Sequence, residues 1–146
     1  MSLQQFLYST HDIDACPAFP NGHKLSRACV NVSLCYGPRC TDTYTALIDT
    51  GSDYCVFPPS ALASLSIPES DLRYYPAKGY GGDFGLQFAR VKIKLEDFGE
   101  WEAWVGFADH ECVCALGNHE FLDVFKVTLH PQKQYFEIES TEQTLK

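Results

Sequence analysis

The stretch that decides the fold is YTALIDTGSD at residues 44–53. Its first half consists of apolar and β-branched residues, which predicts a buried strand. Asp49 closes that strand, and an ionisable side chain in such a place is costly unless it is paired or used. Gly51 permits a tight reversal beside the carboxylate, and the hydroxyls of Thr50 and Ser52 can bond across the turn. The pattern indicates a carboxylate held rigidly at the floor of a cleft, although these residues also favour an ordinary surface turn.

The rest of the chain alternates between apolar and polar residues, as half-buried strands do. The alternation is clearest at residues 30–34 and 91–95. Further strands are predicted at 44–48, 54–57, 101–107, 113–116, 125–129 and 135–138. Trp101 and Trp104 are three apart in one of them, so they point to opposite faces and one belongs to the core. The sequence predicts a mainly β fold, a closed or folded β-barrel with one or two short helices.

Two short helical segments complete this prediction. Ser60 can cap a helix over residues 61–65, and Asn118 can cap one over residues 119–124. The length of 146 residues with 45% hydrophobic content suits one domain, residues 1–146. We expect an ordered core over about residues 24–139, with the first ten residues and the tail from Ser140 loose.

The charge and the apolar pattern exclude several partners. The net charge of −8 argues against nucleic acid, because phosphate binding depends on clustered Lys and Arg. No apolar stretch approaches the length that crosses a bilayer, so no membrane partner is expected. The N-terminus lacks the features of a signal peptide. We therefore expect a cytoplasmic protein whose seven cysteines mostly remain thiols.

Two further elements follow YTALIDTGSD along the chain. The first is KGYGGDFG at residues 78–85, a glycine-rich turn flanked by extended segments. The second is ALGNHEFL at residues 115–122, an apolar pair followed by glycine and a short helical segment. In this order the three elements resemble the retropepsin-like aspartic peptidases, the single-domain enzymes of retroviruses and their bacterial relatives, here of the soluble bacterial type. The resemblance implies a retropepsin-like acid-protease fold.

The resemblance also implies roles for individual residues of this chain. Asp49 would be catalytic, within an active-site loop that continues through Thr50, Gly51 and Ser52. By the same resemblance, Ser52 would hydrogen-bond toward the carboxylate of Asp49, which predicts a mildly acidic pH optimum. The substrate contacts would be Gly51 and Asp53 below the peptide and Gly79, Tyr80, Gly81 and Gly82 in the flap above it. Structural support would come from Leu116, Gly117 and Asn118.

The chemistry of this family requires two carboxylates that share one proton, because like charges in contact cannot both ionise. The chain has a single Asp-Thr-Gly triplet, and the other Asp-x-Gly triplets, at 83–85 and 97–99, fall in predicted hairpin turns. We therefore expect a homodimer that contributes one Asp49 from each copy and hydrolyses peptide or protein substrates as an endopeptidase. No cofactor is implied. No metal is expected either, because the nearest Cys/His cluster, at residues 110–114, lacks the Cys-x-x-Cys spacing.

One position departs from the family pattern. Asn118 stands where the family commonly has Arg, which braces the residue matching Asp53, so we expect a weaker brace or a substitute such as His119 or Arg73. This departure leaves open a non-catalytic alternative, a retropepsin-like module that binds peptides or supports assembly. A third hypothesis is regulation through oxidation of Cys55, six residues from Asp49.

Overall fold

A computed structural model describes residues 2–79 and 82–140. Its strands are β1 (Ser2–Leu7), β2 (Ser9–Ile13), β3 (His23–Arg27), β4 (Cys29–Tyr36), β5 (Arg39–Cys40), β6 (Tyr44–Ile48), β7 (Cys55–Phe57), β8 (Arg73–Gly79), β9 (Gly82–Leu95), β10 (Gly99–Ala108), β11 (Cys114–Leu116), β12 (Lys126–His130) and β13 (Tyr135–Ser140). Its helical segments are α1 (Pro59–Leu65) and single turns at Glu69–Asp71, Asn118–Leu122 and Pro131–Lys133.

The main sheet closes on itself into a barrel. Its strands follow the order β5-β4-β6-β11-β7-β10-β9-β8, and β4 pairs a second time with β9. That second pairing closes a six-stranded barrel, which leaves β5 and β8 outside the ring. The prediction of a mainly β barrel is confirmed.

The interior of the barrel follows the predicted alternation. Every second residue of β4 from Val30 to Leu34 is buried, and so is every second residue of β9 from Ala89 to Leu95. Trp101 is buried in the core, while Trp104 on the same strand is half-buried on the other face, as predicted. Burial of each of the larger of these side chains contributes about 1.5–3 kcal/mol to the stability of the barrel.

The prediction that the N-terminal residues are loose is wrong. The first ten residues were expected to be loose, but β1 pairs antiparallel with β13, from Ser2 opposite Ser140 to Leu7 opposite Tyr135. Strand β12 flanks β13 on its other side, which makes a three-stranded sheet outside the barrel. Phe6 stacks on Phe136 at a centroid distance of 5.4 Å, so the N-terminal strand has a packed apolar face as well as backbone partners. The tail beyond Ser140 lies outside the described residues.

The helical predictions are partly wrong. Helix α1 forms as predicted, but Pro58 takes the N-cap position, and the hydroxyl of Ser60 lies 3.0 Å from that of Tyr44 instead of capping. The predicted helix over residues 119–124 is only a turn, because Glu120 adopts a φ of +67° and interrupts the helical geometry. Asn118 does not cap that turn.

The seven cysteines are mostly unpaired. Five of the seven cysteines are thiols, as expected for most of them, but Cys35 and Cys40 form a disulfide across the β4–β5 hairpin. This bond was not predicted from the sequence.

Within residues 2–79 and 82–140, no helix has the length and apolar character needed to span a membrane.

Candidate active site

The sheet topology brings the first and third sequence elements together. Strand β6 leads into the Asp49 loop, which returns along β7, and β11 lies between these two strands. β11 runs parallel to β6, with Leu116 opposite Ile48, and it meets β7 at Ala115 opposite Val56. The residues that follow β11 therefore pass directly against the Asp49 loop. Two elements about 65 residues apart in the chain thus form one structural unit.

Gly117 is required by this close approach. A Cβ atom at this position would lie 2.5 Å from the carbonyl oxygen of Ser52 and 2.4 Å from that of Tyr54. Both atoms belong to the backbone and cannot rotate away, so any side chain at residue 117 would push the Asp49 loop out of place. The supporting role predicted for Gly117 has a steric basis here.

Asn118 fastens the same loop by hydrogen bonds. Its side-chain amide donates to the carbonyl oxygens of Thr50 and Ser52, both at 2.9 Å, and its backbone amide donates to Ser52 as well. The backbone amide of His119 donates to the carbonyl oxygen of Asp53 at 2.9 Å. Asn118 therefore braces the loop through backbone carbonyls and not through a carboxylate, and it does so without a charge.

The side chains of His119 and Arg73, suggested as substitutes for the arginine of the family, form no hydrogen bond or ion pair with Asp53. Arg73 donates to the carbonyl oxygens of Ser70 and Leu72. The imidazole of His119 lies within ion-pair distance of Glu120 and Asp123, at 3.4 and 3.6 Å. Neither side chain takes over a brace on Asp53, and only the backbone of His119 contacts it.

Asp49 lies at the start of this braced loop and is half-buried. Its backbone amide donates to Leu116 at 3.0 Å, and its Oδ1 atom accepts the amide hydrogen of Gly51 at 2.9 Å. The second bond orients the carboxylate. Ser52 behaves differently from the expectation, because its hydroxyl donates to the carbonyl oxygen of Tyr54 at 2.7 Å and not to Asp49.

Strands β8 and β9 form the predicted glycine-rich hairpin. They pair from Arg73 opposite Phe88 up to Gly79 opposite Gly82, and Gly82 adopts a φ of +113°, which a glycine tolerates best. The predicted contacts Tyr80 and Gly81 lie outside the described residues. Asp97 is in the predicted β9–β10 hairpin turn, whereas Asp83 was wrongly expected in a turn and lies in β9.

A cleft of about 460 Å³ separates the Asp49 loop from this hairpin. Asp49, Gly51, Ser52 and Asp53 line it on one side. Thr50 is exposed beside them. On the other sides the cleft is lined by Tyr54, Val56, Tyr75, Pro76, Ala77, Lys78, Phe84 and Leu86.

Sequence reasoning missed most of these apolar and aromatic lining residues. Tyr54 directly follows the predicted motif, and Tyr75 lies opposite Leu86 in the hairpin. Two signals were present in the sequence: side chains alternate along the two hairpin arms, and Tyr54 directly precedes the returning strand β7. Only the fold, however, tells which of the two faces of each arm looks toward Asp49.

Cys55 lies beneath the loop and is fully buried. Burial raises the pKa of its thiol to about 12, and its Sγ atom lies 3.8 Å from the carbonyl oxygen of His119. A protonated, inaccessible thiol is a poor target for oxidation, because the thiolate is the reactive form. The hypothesis of regulation through Cys55 is not supported by this environment.

Among residues 2–79 and 82–140, no group of three or more His, Cys, Asp or Glu side chains is placed to hold a metal ion.

No protein-family model matches this sequence, and no curated protein matches it.

Proposed function

We propose that this chain is one half-site of an aspartic endopeptidase, in which Asp49 from each of two copies activates a water molecule. The observation that carries the proposal is the position of Asp49 in the cleft below the β8–β9 hairpin, on a loop braced by Gly117 and Asn118. The resemblance of the three sequence elements to retropepsin-like peptidases supports the same reaction. A carboxylate at a rigid cleft floor is the arrangement that this chemistry requires.

The proposed reaction uses two carboxylates with one proton between them. One Asp49 accepts a proton from the water as it attacks the scissile carbonyl carbon, and the other donates its proton toward the carbonyl oxygen. The two copies are identical, so either Asp49 can take either role. The Gly51 amide, which donates to Asp49 Oδ1, holds each carboxylate in one orientation.

The proposed substrate is an extended peptide that lies between the loop and the hairpin. In this proposal Gly51 and Asp53 contact its main chain, while Gly79, Tyr80, Gly81 and Gly82 close over it and exclude water. The apolar lining from Tyr54, Val56 and neighbouring side chains favours large apolar residues near the scissile bond. No metal or cofactor has a part in these steps.

A homodimer follows from the single Asp-Thr-Gly triplet of the chain. A two-fold axis between the two Asp49 residues would bring identical loops face to face, in an isologous contact. The cleft with its hairpin would then be present twice, once on each side of the axis. Each half would bind one side of the peptide.

The replacement Asp49→Asn tests the proposal. Asn has nearly the same shape but can neither accept nor share the proton, so cleavage should fall at least about a thousandfold. The measurement is cleavage of an unstructured peptide mixture between pH 4 and 7, followed by mass spectrometry. Asp42→Asn, an exposed aspartate in the turn after β5, is the matched control and should retain full activity. Undiminished cleavage by the Asp49→Asn variant would refute the proposed role of Asp49.

The alternative function is a peptide-binding or assembly module without catalysis. Two observations favour it over a purely catalytic proposal: the brace at Asn118 is uncharged, and the Ser52 hydroxyl bonds to Tyr54 instead of Asp49. Such a module would bind peptides in the cleft but show no cleavage dependent on Asp49. Sedimentation at high protein concentration together with the cleavage assay separates the two functions, since a strict monomer that binds peptide supports the module.

The proposed compartment is the cytoplasm. Five thiols suit a reducing compartment, whereas disulfides such as Cys35–Cys40 are rare there. Mass spectrometry after alkylation of the protein in lysed cells of its source would decide, and an intact Cys35–Cys40 bond in most molecules would argue against the cytoplasm.

A further inference from the structure

A second, open groove lies beside the Asp49 cleft. Its volume is about 360 Å³, and its lining is mainly aromatic: Tyr54, Tyr74, Tyr75, Phe88 and Trp104, together with Arg73 and His119. These residues come from β8, β9, β10, the segment that follows the Asp49 loop and the turn after β11, so no single stretch of sequence contains the groove. We call it the aromatic groove.

The aromatic groove and the Asp49 cleft share a wall. Tyr54 and Tyr75 line both cavities, and their rings meet edge to face at 5.9 Å. A hydrogen bond to Tyr75, with a smaller contribution from burial, raises the pKa of the Tyr54 hydroxyl. The two cavities therefore meet at this pair of rings, and a peptide in the Asp49 cleft that extends past the pair would reach the groove.

The floor of the groove is preformed. Phe88 packs edge to face against Tyr54 at 5.0 Å and against Tyr75 at 6.1 Å. The strand that carries Trp104 pairs with β9, and the Trp104 amide donates to Glu120 Oε2 at 3.3 Å. Aromatic contacts of this kind fix ring orientations and lower the entropy cost of binding.

Two of the lining side chains are nevertheless open to solvent. Tyr74 is 71% exposed and Tyr75 is 47% exposed, although both are large aromatic residues. Arg73 and His119 also line the groove, and each has partners of its own: Arg73 donates to the carbonyl oxygens of Ser70 and Leu72, and the imidazole of His119 lies beside Glu120 and Asp123. The lining that remains for a ligand is mainly aromatic.

We infer that the aromatic groove binds a large apolar side chain of the same peptide, at a position beyond the residues that lie over Asp49. This inference rests on the proposed function and names the substrate class more closely. The occupant is an extended peptide, because the groove adjoins the Asp49 cleft at Tyr54 and at Tyr75 of strand β8, and side chains of an extended chain alternate toward one wall. Substrates with Phe, Tyr, Trp, Leu or Met at that position are preferred over those with Ser, Asp or Lys.

The test compares wild type with Trp104→Ala on the peptide mixture described above. The cut sites of wild type should show enrichment of large apolar residues at one position several residues from the scissile bond. A synthetic peptide pair that differs there as Phe against Ser should differ about tenfold in kcat/KM. With Trp104→Ala the enrichment should disappear and the ratio should approach one.

The control variant is Phe19→Ala, because Phe19 is a 51% exposed aromatic residue that lines neither cavity. It should keep the preference of wild type. Tyr74→Ala is the second groove variant, chosen because its side chain is mostly exposed and its loss should spare the fold. Thermal melting of all three variants separates loss of the groove from loss of the fold.

Several results would overturn the inference. These are the absence of a distal preference in wild type, a preference that persists in both groove variants, or a loss of dimer in those variants with unchanged preference. The last result would mean that a second copy covers the groove.

Failure of the proposed function has a different signature, which is the absence of cleavage that depends on Asp49. In that case peptide binding is measured by tryptophan emission, comparing wild type with Trp104→Phe, which leaves only the buried Trp101. The Phe peptide should change the emission of wild type but not that of Trp104→Phe, and the Ser peptide should change neither. Equal responses to both peptides would overturn the inference.

Discussion

The two sides of the candidate cleft are built in opposite ways. The Asp49 loop is held from several directions, by the backbone hydrogen bond from Asp49 to Leu116, by the Asn118 side chain and by the close passage of Gly117. In the β8–β9 hairpin, β8 is held along one edge, because within the described residues it pairs only with β9 and lies outside the closed barrel.

This difference teaches how one small fold can combine rigidity with access. The proposed catalysis by a carboxylate needs atoms fixed to a fraction of an ångström, and a loop with many backbone constraints suits that need. The proposed substrate entry needs a segment that opens at low cost, and β8, the hairpin arm outside the ring, suits that need. The following predictions test whether the two sides differ as described.

The largest effect is expected at Gly117. Gly117→Ala places a methyl group 2.4–2.5 Å from two backbone oxygens, so the loop must move. We expect a loss of about 3 kcal/mol or more in the free energy of unfolding, together with loss of any activity. Gly37→Ala is the control, since its φ of +57° costs about 1 kcal/mol but nothing lies near its added methyl group. Equal stability of the two variants in urea titrations would contradict the close-approach argument.

A smaller effect is expected at Asn118. Asn118→Ala removes two hydrogen bonds to the carbonyl oxygens of Thr50 and Ser52. At about 1 kcal/mol each, the free energy of unfolding should fall by about 2 kcal/mol, and peptide cleavage should weaken because the loop loosens. The exposed Asn21 in the loop before β3 offers the matched control, Asn21→Ala, which should stay within about 0.5 kcal/mol of wild type. If the two variants melt alike, Asn118 is not a brace.

The smallest effect is a difference in amide hydrogen exchange within the wild-type protein. The amides of Asp49, Ser52 and Asn118 donate within the braced loop, whereas those of β8 depend on pairing with β9 alone. We expect the β8 amides to exchange at least about tenfold faster, by local opening of the hairpin. Exchange measured residue by residue by NMR provides the comparison. Equal protection from exchange in the Asp49 loop and in β8 would contradict the proposed difference between a rigid loop and a strand that opens.

The same two regions show what the sequence could predict. The Asp49 loop and the barrel strands were predictable, because apolar alternation and a run such as YTALIDTGSD are local signals. The pairing of β1 with β13 was not, since its partners stand more than 120 residues apart and β1 alone has no clear pattern. The prediction of a helix after Asn118 was wrong because Glu120 adopts a positive φ, in a conformation where its carbonyl oxygen accepts a hydrogen bond from the distant Trp101 side chain.

The candidate site also contains residues that the sequence predicted and residues that it could not predict. Asp49, Gly51, Ser52 and Asp53 were found from their motif, and all line one cleft. The aromatic groove could not be found, because Tyr54, Tyr74 and Trp104 meet only after three segments fold together. For Asn118, a helix cap and a brace were equally compatible with the sequence, and the choice depends on contacts with carbonyl groups 66 and 68 residues away.

The most direct test of the central claim is a mixing experiment with the Asp49→Asn variant. Wild type and variant are unfolded together in equal amounts, refolded so that subunits associate at random, and assayed on the peptide mixture. If the site needs Asp49 from both copies, the activity should be about a quarter of that of the same total amount of wild type, because only that share of dimers has two aspartates. An activity of about one half would mean that each copy acts alone, and it would contradict the shared site.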